Sequence, residues 1–105
     1  MTPIETILSR CRALLAKHYG VRLKKVILYG SVARGEATPE SDIDLLVVLE
    51  GPVDVVAEVW VLTDLLYSLQ LESDQYISAK AAPSDDYEAG RLQLYRNVHR
   101  EGVLV

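Results

Sequence analysis

Seven residues from Ile43 to Leu49, with the sequence Ile-Asp-Leu-Leu-Val-Val-Leu, are almost continuously apolar. Successive side chains of a strand point to opposite faces, so an apolar run that does not alternate must be covered on both faces. Residues 26–29 form a second short apolar run, between two lysines and a Gly-Ser pair, which also predicts a buried strand. The sequence therefore predicts a small sheet with covered faces.

Two further segments have the periodicity of helices. Apolar residues recur at helical spacing over residues 4–19, and Cys11 within this segment is interpreted as a buried small hydrophobe. Thr2 is the predicted N-cap, Pro3 the first helical residue and Gly20 the C-terminal cap.

A second long helix is predicted over residues 55–71, with a wide apolar face that includes Val56 and Trp60. Because tryptophan in a helix is usually buried, we expect Trp60 to belong to the core. The sequence of residues 75–82 predicts a weaker third strand, which ends at Pro83.

The last segment predicts a single helix that begins with Ser84 as N-cap and ends at Gly102. The resulting order is helix, strand, loop, strand, helix, strand, helix. This order and the length predict a single domain over residues 1–105 of the α/β or α+β class, with a short mixed sheet and helices packed against it.

Composition excludes several classes of protein and of binding site. The chain has 105 residues, half of them hydrophobic, with one cysteine and a net charge of −4, and its pI is about 5.1. A single cysteine excludes a disulfide framework and a cysteine-based zinc site, and no apolar run is long enough for a membrane span. An acidic chain is a poor general nucleic-acid binder. Since the N-terminus also lacks the pattern of a secretory signal, we expect a cytoplasmic protein without direct nucleic-acid or membrane contacts.

Two aspartates at the start of an apolar strand suggest a metal site. Asp42 and Asp44 are two residues apart, so their side chains share one face of the strand, where they repel each other. No lysine or arginine at Ile43 or Leu45 neutralises them, and a divalent cation would resolve the conflict. An isolated Asp-x-Asp pair is nevertheless a weak signal.

The Gly-Ser pair after the first predicted strand suggests a phosphate site. Gly30 and Ser31 would start a short helical turn whose backbone N–H groups point at an anion, and Gly35 would end it. Arg34, one turn further on, could add a charge-assisted contact. Taken alone, such a pair is more often only a turn, and such an arginine is more often a solvated surface charge.

The two signals together resemble a known signature. Gly30-Ser31, ten intervening residues and then Asp42-Ile43-Asp44 resemble the DNA polymerase β-like nucleotidyltransferase superfamily. The form Gly-Ser-x-Ala-Arg-Gly…Ser-Asp-Ile-Asp-Leu is similar to its smallest branch, the minimal nucleotidyltransferases, along nearly the whole chain. The closing residues 95–103 also resemble the ends of such proteins.

The resemblance implies a site. Asp42 and Asp44 would bind two Mg²⁺ ions, and ATP would be the substrate. The residues that would bind the nucleotide are Gly30, Ser31, Arg34 and Ser41. The family also uses a third carboxylate, on the following strand, as general base and metal ligand; the candidate here is Asp74, although a simple turn residue is an equal alternative.

The resemblance also implies a partner. Members of this type are often encoded beside a small all-helical HEPN-domain protein. In such pairs the nucleotidyltransferase is the antitoxin, and it transfers AMP from ATP to a tyrosine of the HEPN ribonuclease. An alternative from another class is a catalytically idle module that neutralises the toxin by binding it stoichiometrically. Transfer of a nucleotide to a small molecule such as an aminoglycoside is a weaker option, because such enzymes usually carry an added helical domain. Small size and a predicted sheet edge favour a dimer or a hetero-complex.

Overall fold

The computed structural model describes residues 3–105 as a four-stranded mixed sheet with helices on both faces. The helices and strands follow in the order α1 (Pro3–Tyr19), β1 (Leu23–Tyr29), α2 (Gly30–Ala33), β2 (Ile43–Leu49), α3 (Val55–Glu72), β3 (Ile77–Pro83), α4 (Ser84–Glu88), α5 (Gln93–Glu101) and β4 (Val103–Leu104). This architecture confirms the predicted fold class. Within the described part of the chain, no helix is both long and apolar enough to cross a membrane.

The strands lie in the order β3-β2-β1-β4, so β3 and β4 form the two edges. β1 pairs antiparallel with β2 and β4, whereas β2 and β3 run parallel and are joined through α3. The register places Tyr29 opposite Asp44 and, on the other side, Asp44 beside Ser78. One row across the sheet therefore carries a tyrosine, a carboxylate and a serine.

Each face of the sheet has its own core. Ile43, Leu45 and Val47 of β2 pack with α1 and α3, and Cys11 is fully buried in this core. Leu46 and Val48 face the opposite way and pack with α4 and α5. Every side chain of β2 from Leu45 onward is buried, which confirms that the apolar run is covered on both faces.

The C-terminal segment differs from the prediction of a single helix. It forms two helices, because Gly90 adopts a positive φ of 62° that ends the first helical segment before α5 starts. Ser84 is the first residue of α4 and makes no capping hydrogen bond through its side chain, so its predicted N-cap role is wrong. The two-residue strand β4, which pairs with Ile27 and Leu28, was not predicted.

The structure also differs from two other predictions. Trp60 lies on the outer side of α3 with 71% of its surface exposed, so it is not a core residue. β3 begins at Ile77 rather than Gln75, because the preceding residues form a bend in which Gln75 donates a side-chain hydrogen bond to Ser41 O. The predicted N-cap Thr2 lies outside the described residues.

Candidate active site

The loop after β1 is built on one short helical turn. Gly30 opens α2 with a φ of +78°, a conformation that favours glycine. The Arg34 N–H donates to Gly30 O at 3.1 Å, and the Glu36 N–H donates to Ser31 O at 2.9 Å. Gly35, with a φ of +73°, then turns the chain away. The helical turn and its end at Gly35 are as predicted.

The Gly30 backbone lies directly against the Asp44 carboxylate. A Cβ atom built on Gly30 would collide with Asp44 Oδ2 and would lie 3.3 Å from Asp44 Cγ. Asp42 is exposed immediately before β2, and Asp44 is half-buried within it. The structure therefore brings the Gly-Ser loop and the Asp-x-Asp pair together, and glycine is the residue that permits the close approach.

Burial and charge act together on Asp44. Burial raises the pKa of the Asp44 carboxyl above its usual value, and the neighbouring Asp42 carboxylate raises it further. Lys80 and Arg34 act in the opposite direction and favour the charged form. The ionised pair is thus only partly compensated by the protein, and a bound cation would stabilise it.

The donor set fits Mg²⁺ bound together with a substrate. Asp42 and Asp44 supply hard carboxylate oxygens, and Mg²⁺ is commonly held by one or two carboxylates plus substrate phosphates and water. Residues 3–105 contain no group of three or more histidine, cysteine, aspartate or glutamate side chains arranged to hold a metal. Other ligands would therefore have to come from the nucleotide and from water.

Tyr29 contributes to this site although the sequence analysis did not single it out. It pairs with Asp44 across β1 and β2, and its hydroxyl is buried without a hydrogen-bond partner among the described residues. Burial, together with the Asp44 carboxylate, raises the pKa of Tyr29 to about 12, so the hydroxyl stays protonated at neutral pH. Only the strand register reveals this neighbour, because the sequence around Tyr29 is that of an ordinary strand.

Arg34 is held by two glutamates. Its Nε donates to Glu36 Oε2 at 3.2 Å, and its Nη1 donates to Glu101 Oε2 at 3.1 Å. Glu101 ends α5, so this ion pair ties the loop to the C-terminal helix. The predicted nucleotide contact of Arg34 would require the guanidinium to leave or share these partners; the role remains a prediction.

Ser41 is engaged within its own loop. Its Oγ accepts from the Thr38 N–H at 2.8 Å, and its N–H donates to Thr38 O at 3.0 Å. These bonds shape the approach of the chain to Asp42. Ser31 is half-buried at the start of α2. The nucleotide contacts of Ser41 and Ser31 stay predictions.

Asp74 lies apart from the aspartate pair. It occupies the bend before β3 and lines a cavity with Ile4, Ile7 and Ile43. Ile43 faces the α1 and α3 core, whereas Asp44 projects from the opposite face of β2. The third-carboxylate role of Asp74 remains a prediction, and the structure does not bring its side chain into a cluster with the other two.

The raised pKa of Asp44 predicts a pH-dependent stability. The Asp44 carboxyl has a higher pKa in the folded state than in the unfolded state, so the folded protein binds its proton more tightly. The free energy of unfolding therefore falls as the pH rises from the pKa of the unfolded state to that of the folded state. We expect Asp44→Asn to raise the free energy of unfolding at pH 7 by up to about 1 kcal/mol, with a smaller gain at pH 3. Urea denaturation at both pH values measures this difference. An equal gain at both values would contradict the electrostatic cause.

Known proteins are similar to this chain in sequence. Residues 7–99 match the nucleotidyltransferase domain family. A Methanocaldococcus jannaschii protein named a putative protein adenylyltransferase is 37% identical over 94 residues, which cover 86% of this chain and 84% of that protein. These matches show that the chain belongs to the nucleotidyltransferase family and is a nucleotidyltransferase enzyme.

Two solved structures share the fold. One is the toxin–antitoxin pair MntA-HpeT, in a variant in which two aspartates, two positions apart, are replaced by glutamate. Its TM-score is 0.62 at 18% identity, and the match covers 91% of this chain and 69% of that one. The other is a toxin–antitoxin structure with AMP-PNP, with a TM-score of 0.59 at 24% identity, covering 90% and 69%. At these identities the similarity shows a shared fold.

Proposed function

We propose that this chain is a Mg²⁺-dependent protein adenylyltransferase that moves AMP from ATP to a tyrosine hydroxyl of a HEPN-domain toxin, and so acts as its antitoxin. The observation that carries the proposal is the contact between Gly30 and Asp44, which makes the loop and the aspartate pair one site. The name of the M. jannaschii relative supports protein adenylylation, and the toxin–antitoxin neighbours support the biological role.

ATP is the proposed substrate, supported by the structural neighbour that was solved with AMP-PNP. Gly30 and Ser31 would hold the phosphates against the start of α2, where backbone N–H groups are available. Asp42 and Asp44 would hold two Mg²⁺ ions, which when bound supply charge neutralisation for the phosphates. Lys80 lies close enough to influence Asp44 and would add positive charge beside the same phosphates.

The proposed reaction is an in-line substitution at phosphorus. The tyrosine oxygen forms a bond to the α-phosphorus, the bond from that phosphorus to the bridging oxygen breaks, and pyrophosphate leaves with the electron pair. The hydroxyl proton passes to a general base beside the acceptor. The candidate from the sequence, Asp74, lies in a different cavity from the aspartate pair. The chain's own contribution is to position the reactants and to compensate charge.

A HEPN ribonuclease is the proposed partner for reasons of charge as well as resemblance. The chain carries a net charge of −4, and an RNA-cleaving protein needs basic surface to hold its substrate. Opposite net charges favour rapid association of the two proteins.

The test is the intact mass of a HEPN-domain toxin, after incubation with this chain, ATP and Mg²⁺. We expect a mass gain of one or more AMP units, localised to tyrosine by peptide mapping. The double variant Asp42→Ala/Asp44→Ala serves as the control and should leave the mass unchanged. A complex that forms without any mass gain would contradict the proposal.

The separate position of Asp74 favours one alternative, an idle binding module that neutralises the toxin without chemistry. The outcome of replacing Asp74 distinguishes the two possible roles of this residue. Because Asp74 shares its cavity with Ile43 rather than with Asp44, we expect Asp74→Asn to retain most of the transfer rate. A loss as large as that of Asp44→Asn, measured in the same mass assay, would instead make Asp74 the third carboxylate.

A further inference from the structure

The outer side of α3 carries an apolar stripe that the site described above does not use. The stripe consists of Val56, Trp60, Tyr67 and Leu71, whose exposed fractions are 75%, 71%, 59% and 70%. A helix turns by about 100° per residue, so these four positions fall within an arc of about 60°. They form two apolar pairs on one side of α3, with the exposed Thr63 and Asp64 between them, opposite the side that supplies Leu62, Leu66 and Leu69 to the core.

The area of this surface is that of an interface. Tyr76, 58% exposed, lies beside the stripe, and with Tyr67 it lines a groove of about 120 Å³ between α3 and the edge strand β3. At roughly 120 Å² each, these five side chains expose about 600 Å² per chain. Two such surfaces packed together would remove about 1,200 Å² from water, which reaches the size of specific interfaces. Exposed apolar patches of this size on one protein mark an interaction site.

The spacing of the stripe identifies the occupant. Val56 and Leu71 lie equally far from the midpoint of residues 63–64, and so do Trp60 and Tyr67. If two copies of α3 pack antiparallel about a two-fold axis at this midpoint, Val56 faces the second copy's Leu71, and Trp60 faces its Tyr67. A two-fold interface requires one surface to complement itself in this way, whereas a surface for an unrelated partner does not.

The position of α3 in the fold permits this packing. α3 covers β3, and β3 is the last strand of the sheet, so no further strand or helix of residues 3–105 lies beyond it on that side. The groove lies next to Tyr67, where the antiparallel arrangement brings the second copy's Trp60. An indole side chain is therefore placed at a depression lined by both apolar and polar side chains, and tryptophan in such a pocket is a common interface hot spot.

We propose that this chain forms a two-fold symmetric dimer through the α3 stripe, with the two α3 helices antiparallel and Trp60 of each copy packed beside Tyr67 of the other. The aspartate pair projects toward the opposite face of the sheet from α3. This inference is independent of the proposed reaction and of its partner.

Sedimentation velocity over a range of concentrations tests the dimer. We expect Trp60→Glu to raise the dimer dissociation constant at least about 30-fold, since central aromatic residues dominate such interfaces. Val21→Glu is the matched control, because Val21 is 88% exposed, lies outside the stripe and should leave the constant unchanged. Circular dichroism checks that both variants fold. The proposal is overturned if the wild-type chain stays monomeric. That outcome includes the case in which the stripe binds only another protein.

Cross-linking tests the orientation. A mixture of Val56→Cys and Leu71→Cys chains, treated with a short bismaleimide, should give more cross-linked dimer than either variant alone. Cys11 does not interfere, because it is fully buried and burial raises the pKa of its thiol to about 11. Strong cross-linking of Val56→Cys with itself would indicate parallel helices, and equal yields in all samples would indicate association through another surface; either result overturns the antiparallel arrangement.

Discussion

Asp44→Asn should reduce the rate of AMP transfer by about 10³-fold or more while leaving the chain folded. Asparagine keeps the shape of the side chain but removes the charge on which a cation and the substrate phosphates would depend. Because the neutral side chain avoids the cost of burying a charge and the repulsion from Asp42, this variant should be inactive yet slightly more stable. The rate is measured as the mass gain of the toxin with time, at saturating ATP and Mg²⁺.

The control for this variant is Asp85→Asn. Asp85 is an exposed aspartate in the first turn of α4, so its replacement removes the same charge from the chain without touching the site. We expect Asp85→Asn to keep the wild-type rate. If Asp44→Asn retains more than about a tenth of the rate, the pair does not provide the charge compensation that this chemistry needs.

Gly30→Ala should damage both stability and activity. A side chain at a φ of +78° is strained, and its Cβ would collide with the Asp44 carboxylate. We expect a loss of about 1–2 kcal/mol from the backbone alone and a further loss of at least about 1 kcal/mol from the collision. Displacement of Asp44 should lower the transfer rate by about 10²-fold, because small misplacements of reacting groups are costly.

Gly35→Ala separates the two causes of that loss. Gly35 has almost the same backbone conformation, with a φ of +73°, but a Cβ there meets no atom within 4 Å. Its replacement should therefore show the backbone cost without the loss of activity. Chemical denaturation and the transfer assay on both variants give the comparison, and equal effects on the rate would mean that contact with Asp44 is unimportant.

The central strand β2 and the residues of the site could be predicted because their signals are local. An apolar run without alternation, as in β2, can be covered only by placing helices on both faces, and Ile43–Leu49 was located to the residue. The Gly-Ser turn after β1 and the aspartates before and within β2 are likewise matters of spacing along the chain. Their convergence at Gly30 and Asp44 followed from the antiparallel pairing of two consecutive strands.

Features that depend on non-local contacts were not predicted. Trp60 is apolar at a helical spacing, yet only the packing of α3 decides which of its apolar positions face the core. Gly90, with its positive φ, splits the last segment into α4 and α5, and both helices supply residues to the core on the same face of the sheet. In the same way, the pairing of β1 with β2 is what places the Tyr29 hydroxyl beside Asp44.

The sequence by itself determined the class of fold, the order of the main elements and the aspartate pair, because hydrophobic periodicity and residue chemistry act over a few neighbouring positions. The tertiary structure alone decided that Gly30 touches Asp44, that Asp74 faces another cavity and that α3 keeps an apolar stripe on its outer side. Each of these depends on which elements pack together, and that is set by the free energy of the whole core rather than by any local segment.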